Sequence, residues 1–438
     1  MKRQSGQELY RKAKLLIPGG TQLLSKRPEM FLPDYWPAYY SRAKGATVWD
    51  LDGRKYIDTT IMGVGACILG YADPDVNAAV GRAVRQGSMC TLNCPEEVEL
   101  AELLCEIHPW AQMVRYARCG GEAMSIAARI ARSSTGRDVI AFCGYHGWHD
   151  WYLSANLADD KNLDGQLLPG LQPSGVPRAL NGTIIPFEYG RRDQLEAIVR
   201  EKGSQLAAII MEPGRSAEPD KEFLQFVQKT AQKQKAVLVF DEVTSGWRTV
   251  VGGIHLNYGI HPDMAVFAKG MSNGYPMAAV IGTRDVMSAA QNTFISSTYW
   301  TERIGPTAAL ATIKKMRKRH VPQHLIRIGK MVQEGWKKAS DHHQLPITIT
   351  GIYPLSYLSF TGEDSLVIKT LFNQWMLESG YLASTSFYAS YAHTPALVTK
   401  YLSAVERVFE KIAQAKKLGD LQKQLKGPIV HSGFRRLT

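Results

Sequence analysis

The feature that most limits the fold is a set of short apolar segments, rich in β-branched residues, between residues 138 and 282. Each segment has the length of a strand and lacks polar alternation, which is typical of a strand buried on both faces. The segments are residues 138–143, 206–211, 236–240, 264–267 and 277–282. Helical stretches separate several of them, so the pattern predicts an α/β fold with a mostly parallel sheet covered on both faces by helices.

The same pattern predicts two domains. Residues 46–319 are expected to form a large domain around the sheet. After about residue 320 the composition turns to basic helices and short strands. Residues 1–45 begin with an amphipathic stretch and continue into residues 31–40, which are rich in proline and aromatic residues and favour irregular packed loops. We therefore expect residues 1–45 and 320–438 to form a smaller α+β domain built from both chain ends.

Composition is that of an ordinary globular protein. Of 438 residues, 45% are apolar and 21% charged, which is enough for two sizeable cores. The sequence contains neither a signal-peptide core nor an apolar run long enough for a membrane span. The six cysteines form no Cys-x-x-Cys pair. Reduced thiols, a cytoplasmic location and no membrane partner are therefore expected.

The net charge of +12 is concentrated in residues 314–320 and in the last quarter of the chain. Such a cluster is compatible with nucleic-acid binding. However, Leu310, Ile313 and Met316 recur at helical spacing beside the charges. This spacing favours a solvated helix face, so we expect no nucleic-acid partner, although the field would attract an anionic small substrate.

Two apolar segments end in polar residues that are expected at the ligand-binding edge of the sheet. Asp241 directly follows the segment 236–240, and Lys269 follows the segment 264–267. Open α/β sheets bind ligands at the carboxyl ends of their strands. Burial disfavours a charged lysine, whose neutral amine can form a Schiff base with an aldehyde cofactor, and a carboxylate suits a pyridinium nitrogen. Taken alone, each residue fits better as an ordinary strand-end lysine or helix cap.

A third element is the pair Gly120 and Gly121, which precedes a run of good helix formers. Backbone N–H groups at a helix start stabilise an anion, so we expect a phosphate here, with a plain turn as the alternative. The sequence does not follow the G-x-G-x-x-G or Walker patterns at this point, which weakens nucleotide interpretations.

An aromatic and imidazole cluster follows the segment 138–143. Tyr145 or His146 could supply a ring that stacks on a flat heteroaromatic group. His146, His149 and Asp150 match no zinc pattern, so no metal is expected.

Further motifs extend the pattern over nearly the whole chain. They are Ile17–Gly20, Val48–Gly53, Tyr56–Asp58, Gly120–Ala123, Thr135–Asp138, Tyr145–Gly147, Met211–Pro213, Asp241–Val243 and Ala392–Thr394. In this order they resemble the class III aminotransferases of pyridoxal 5′-phosphate (PLP) fold type I, and among these the glutamate-1-semialdehyde 2,1-aminomutases and their relatives.

The resemblance implies a role for each matching residue. Lys269 would bind PLP and move a proton between the substrate carbon and the cofactor. Asp241 would pair with the pyridine nitrogen, with Val243 under the ring and Tyr145 above it.

The resemblance also implies how the phosphate is held. Gly120 and Gly121 would bind it, and Thr298 would reach the phosphate of the neighbouring subunit's cofactor. The latter contact requires a homodimer.

Several positions depart from the family pattern. Cys119 and Gly121 stand where the family has hydroxyl residues, so this loop is expected to contact the phosphate through backbone groups alone. Trp300 and Glu302 place bulk and charge near the substrate entrance, which makes them candidate substrate contacts. Arg215 could clamp an anionic substrate group or form a surface ion pair.

The resemblance implies an aminotransferase that moves an amino group from a small-molecule donor to an aldehyde or keto acceptor. Residues 381–391 contain no acid where the aminomutase has a gating glutamate, which favours transamination over isomerisation. An aminomutase or a PLP-dependent racemase is the alternative, and a non-catalytic binding protein that kept the fold is a third.

Overall fold

The computed structural model describes residues 5–166, 169–214 and 216–432. The strands in these residues are β1 (Tyr40–Lys44), β2 (Thr47–Asp50), β3 (Lys55–Asp58), β4 (Met113–Ala117), β5 (Val139–Cys143), β6 (Ile184–Pro186), β7 (Leu206–Met211), β8 (Val237–Asp241), β9 (Met264–Phe267), β10 (Ala278–Gly282), β11 (Ile347–Thr350), β12 (Leu355–Phe360), β13 (Tyr381–Leu382) and β14 (Ser386–Tyr388). The α-helices are α1 (Ser5–Leu16), α2 (Pro74–Gln86), α3 (Pro95–Ile107), α4 (Gly120–Thr135), α5 (Asp150–Leu153), α6 (Arg192–Lys202), α7 (Lys221–Gln234), α8 (Arg284–Met287), α9 (Ile304–Arg319), α10 (Val321–His343), α11 (Ser365–Glu378) and α12 (Pro395–Lys417).

The chain divides into two compact units. One comprises Met1–Asp73 and Gln323–Thr438, and we call it the terminal unit. The other comprises Pro74–Pro322, and we call it the sheet unit.

The sheet unit is built on a sheet with the strand order β4-β10-β9-β8-β7-β5-β6. Strands β9, β8, β7, β5 and β6 run parallel, whereas β10 is antiparallel to both of its neighbours. The five predicted strands correspond to β5, β7, β8, β9 and β10, and every residue of these strands is buried. The predicted α/β architecture is therefore confirmed, and the sequence reasoning missed β4 and β6.

Helices cover both faces of this sheet. Because side chains alternate along a strand, Ile210 and Val239 pack on one face with α4, whereas Ile209 and Leu238 pack on the other face with α6 and α7. Burial of each such side chain contributes about 1.5–3 kcal/mol, so the central strands are held in one register.

The terminal unit contains two smaller sheets, ordered β1-β2-β3-β13 and β11-β12-β14. Strand β3 pairs in parallel with β13. In addition, the His393 Nε2 atom lies 2.8 Å from the carbonyl oxygen of Asp58. The predicted boundary at residue 46 therefore differs from the structure, because β2 and β3 pair within the terminal unit and the sheet unit begins only at Pro74.

The basic segment near residue 315 is helical, as its spacing predicted. On α9, Leu310, Ile313 and Met316 are buried. Lys315 Nζ lies 2.6 Å from the Asp75 carboxylate, which places an ion pair beside this apolar stripe. No helix in the described part of the chain is both long and apolar enough to cross a membrane.

Among the described residues, one cluster of possible metal ligands lies in the terminal unit and consists of residues that the sequence reasoning did not select. The ligand atoms of His342, His343 and Glu406 lie within 4.8 Å of one another. Both imidazoles contact the same carboxylate oxygen, at 2.9 Å for His343. Burial raises the pKa of Glu406, but the two histidine hydrogen bonds outweigh it, and the net pKa lies below the ordinary value. The cluster thus ties the end of α10 to α12.

Candidate functional site

Two adjacent parallel strands bring Asp241 and Lys269 to one edge of the sheet. Asp241 is the last residue of β8 and pairs with Val266 of β9. Lys269 begins the short 3-10 turn that follows β9. Both residues therefore lie at the carboxyl edge, where open α/β sheets bind ligands.

The Lys269 amine is directed at the loop that follows Asp241. Its Nζ atom donates a hydrogen bond to Thr244 Oγ1 at 2.8 Å, and Thr244 is buried. The Lys269 backbone has φ 46°, a left-handed conformation that is uncommon for residues other than glycine. Such strain is often held at functional sites, where the surrounding structure over-determines it. Sequence reasoning missed Thr244, although a hydroxyl residue directly after Asp-Glu-Val was the available signal.

Both carboxylate oxygens of Asp241 are engaged on the protein side. Oδ1 accepts a hydrogen bond from the Val243 amide at 3.0 Å, and Oδ2 lies 2.8 Å from His146 Nδ1. The side chains of Asp241 and His146 are almost completely buried. The sequence left Tyr145 or His146 open as the stacking ring. In the structure, the His146 imidazole contacts the Asp241 carboxylate.

Glu242, the second acid of the pair, is turned into the protein. Its carboxylate accepts hydrogen bonds from Ser245 Oγ at 2.6 Å and from the His255 amide at 3.1 Å, and it lies 2.8 Å from His255 Nδ1. Burial alone would raise the pKa of Glu242, but the hydrogen bonds from His255 and Ser245 lower it below its ordinary value. Glu242 thus fixes the loop that carries Thr244.

The two predicted phosphate-loop glycines form the first residues of α4. The first N–H groups of a helix have no acceptor within the helix, so they remain available to an anion. Glu122 closes the preceding turn, because its Oε2 atom accepts from the Arg118 and Cys119 amides at 3.0 and 3.2 Å.

Glycine permits close contact between this loop and two others. A Cβ atom on Gly120 would lie 2.9 Å from Val243 Cγ1. A Cβ atom on Gly147 would lie 2.9 Å from the Cα atom of Gly121. The start of α4 therefore meets the loops after β5 and β8, and a larger residue at either contact would force them apart.

Tyr145 lies in the loop after β5. Its amide donates to Glu212 Oε2 at 3.1 Å, and its ring meets Tyr152 edge-on at 5.8 Å between centroids. Tyr145, Val243 and Trp300 are partly buried against the same apolar cluster. Tyr145 and Val243, the two residues predicted to contact the ring, thus pack against one hydrophobic cluster.

The segment after β10 holds three predicted residues in different environments. Thr298 is exposed and begins a 3-10 turn. The Trp300 carbonyl oxygen accepts a hydrogen bond from Arg118 Nη2 at 2.9 Å. The Glu302 carboxylate accepts from the Ile304 and Gly305 amides at 2.6 and 2.8 Å.

Glu302 also lies 3.0 Å from Arg118 Nε in an ion pair. Its carboxylate therefore caps α9 and neutralises Arg118, an arrangement that favours a structural role over the predicted substrate contact. Arg215, the other charged candidate, lies outside the described residues.

Comparisons with known proteins place these features in a family. The family model described as Aminotransferase class-III matches residues 33–361. The 3-aminobutyryl-CoA aminotransferase of Cloacimonas acidaminovorans is 29% identical over 94% of this chain and 97% of its own. The glutamate-1-semialdehyde 2,1-aminomutase of Desulforamulus reducens is 31% identical over 94% of this chain and 99% of its own. The structure of the FumI protein of Sphingopyxis sp. MTA144, in its PLP internal aldimine form, superposes with a TM-score of 0.85 at 25% identity, covering 94% and 97% of the two chains.

A substitution at Glu302 tests its capping role. We expect Glu302→Ala to lower the free energy of unfolding by about 2–4 kcal/mol, because α9 loses its cap and the mostly buried Arg118 loses its partner. Glu106→Ala is the control, since Glu106 pairs with Arg317 on an exposed surface. Its effect should stay below about 1 kcal/mol. Urea unfolding followed by tryptophan fluorescence measures both, and equal losses would contradict the capping role.

Proposed function

The chain belongs to the class III aminotransferase family, and on this premise we propose which of its residues hold the cofactor and move the proton. It is a PLP-dependent aminotransferase that transfers an amino group between an amino donor and an aldehyde or keto acceptor. The observation that carries the assignment of residues is the shared sheet edge at which Asp241 and Lys269 follow adjacent parallel strands.

The residues of the site fit PLP in charge and in shape. The start of α4 offers backbone N–H groups for a phosphate, and the contacts at Gly120 and Gly147 leave no room for side chains there. Val243 and Tyr145 supply apolar surface for a flat ring. Asp241, fixed by its buried contacts, offers the charge that a protonated pyridine nitrogen requires.

Each residue then has a distinct task. Bound PLP supplies an electron sink that makes a proton on the substrate carbon acidic. Lys269 Nζ holds the cofactor through its aldehyde and, as a free neutral amine, takes and returns that proton. Asp241 keeps the pyridine nitrogen protonated.

Two positioning residues support this chemistry. His146 orients the Asp241 carboxylate, because its Nδ1 atom lies 2.8 Å from Oδ2 and both side chains are buried. Thr244 aims the Lys269 amine by accepting its hydrogen bond. Neither residue needs to touch the substrate to act.

The substrate contacts are less defined than the cofactor contacts. Trp300 is packed against the same hydrophobic cluster as Tyr145 and Val243, which supports its assignment to the substrate side. Arg215 stays a proposed anion clamp on sequence grounds alone.

Two alternatives use the same fold. An aminomutase or racemase would employ the same lysine and carboxylate, and an aminomutase is among the similar proteins. The acid-free segment 381–391 supports transamination instead. A non-catalytic binding role is opposed by the retention of both Lys269 and Asp241.

We further propose a cytoplasmic homodimer in which Thr298 reaches the phosphate of the neighbouring subunit's cofactor. The exposure of Thr298 and of the adjacent Tyr299 supports a role for this turn outside its own unit. Light scattering after size exclusion should give twice the mass of one chain. Thr298→Val should weaken PLP binding about 5-fold, the loss of roughly one hydrogen bond. A monomer with full PLP affinity would remove this proposal.

Loss of the lysine tests the cofactor assignment. Lys269→Ala should abolish the visible absorbance of lysine-bound PLP and lower kcat by about 10²–10⁴-fold, because no amine remains to move the proton. The control is Lys229→Ala, an exposed lysine on α7. Spectra and rates of this variant should match the unchanged protein. Retention of the absorbance band in Lys269→Ala would show that another residue binds the cofactor.

An experiment with an amino donor but no carbonyl acceptor distinguishes transamination from isomerisation. An aminotransferase should consume one equivalent of donor per site and then stop, with bleaching of the visible band. Turnover resumes when a keto acid is added. A panel of amines read by this bleaching also identifies the donor. Continuous conversion of the donor without any acceptor would establish a mutase or racemase instead.

A further inference from the structure

The imidazole of His149 occupies the space beside Gly121 that a side chain would need. A Cβ atom on Gly121 would lie 3.1 Å from His149 Cε1 and 3.2 Å from His149 Nδ1. Gly147, two residues before His149, packs against the Cα atom of Gly121. One edge of the imidazole ring therefore faces the start of α4, where the cofactor phosphate is proposed to bind.

The edge that faces Gly121 carries a buried ring nitrogen. His149 Nδ1 is shielded from solvent and has no hydrogen-bond partner among the residues that the structure describes. Buried polar atoms without partners are rare in native proteins, so each one calls for an explanation such as an absent ligand. The Trp148 ring stacks on the imidazole, with 4.4 Å between centroids and 25° between planes. This stacking holds the imidazole against the loop.

We propose that His149 is a phosphate ligand of the cofactor site, and that its Nδ1–H group donates to a phosphate oxygen beside Gly121. This inference rests on the proposed function. It adds a side-chain donor to the backbone groups that the start of α4 is expected to offer. Gly121 offers no side chain to the phosphate, and the loop after β5 supplies a donor in its place.

The charges around the ring fit a phosphate ligand. Burial lowers the pKa of His149, and the nearby carboxylates of Glu122 on α4 and Asp150 on α5 only partly offset this effect. The imidazole of the cofactor-free protein is thus mostly neutral at neutral pH. A phosphate dianion favours the protonated ring, so its binding would raise the pKa of His149 and take up a proton. The contribution of His149 to phosphate binding is therefore largest at low pH, and it decreases as the pH rises through the pKa that His149 has in the complex.

The test compares PLP with pyridoxal, which lacks the phosphate, on the cofactor-free protein. His149→Phe keeps a planar ring but removes the nitrogen, and it should raise the Kd for PLP about 10-fold, as expected for one hydrogen bond to a charged group. The Kd for pyridoxal should stay unchanged. His149→Asn places an amide N–H near the position of Nδ1 and should restore part of the PLP affinity.

Further readouts separate phosphate binding from a structural effect. The 31P resonance of bound PLP should shift in His149→Phe. The unchanged protein should bind PLP more tightly than His149→Phe, and this difference in Kd should shrink between pH 6 and pH 8. His261→Phe, at an exposed histidine of the same unit, is the control and should change neither the 31P resonance nor the Kd for PLP.

Two outcomes would overturn the inference and leave the proposed function intact. One is an unchanged PLP Kd in His149→Phe, and the other is an equal loss of PLP and pyridoxal binding, which indicates a structural role. If the unchanged protein binds no PLP, the proposed function fails as well.

Discussion

The parallel pairing of β8 with β9 is the constraint on which the site depends. It places Asp241 opposite Val266, so the chain leaves both strands at the same edge. Thr244 Oγ1 can then accept a hydrogen bond from the Lys269 amine of the neighbouring loop. A slip of the pairing by one residue would turn every side chain of the strand to the opposite face. The buried apolar residues of both strands make such a slip costly. The packing of the sheet core therefore also fixes the positions of Asp241 and Lys269.

The parts of this arrangement that could be predicted are those encoded by local pattern. Apolar runs of strand length indicated β5 and β7 to β10, and a polar residue at the end of a run indicated Asp241 and Lys269. The partner of Asp241 could not be found in this way. His146 follows β5, which is separated from β8 by β7, so their contact depends on the strand order of the sheet. Short strands such as β6 give too little periodicity to be recognised.

The difference at the domain boundary has a similar origin. Strands β2 and β3 indicate a hairpin by their own residues, but a hairpin does not encode which sheet it joins. Its partner β13 lies far along the chain, and the domain boundary therefore moved from residue 46 to Pro74. The capping contacts of Glu302 could not be predicted either, because glutamate is not among the residues preferred for capping a helix start. They depend on the turn before α9, which directs the Ile304 and Gly305 amides at the Glu302 carboxylate.

At the proposed phosphate site, the glycines determine which contacts come from the backbone and which must come from side chains. At Gly120, Gly121 and Gly147, missing side chains allow the start of α4 to approach the loops after β5 and β8. This approach leaves backbone N–H groups at the start of α4 for the proposed phosphate, but glycine also lacks the side-chain donors that those positions could have carried. A donor must then come from a neighbouring segment whose position is fixed by the same close packing. His149 satisfies this condition, since the packing of Gly147 on Gly121 sets the position of its loop. The geometry of the site thus follows from contacts between backbones, and the side chains complete it.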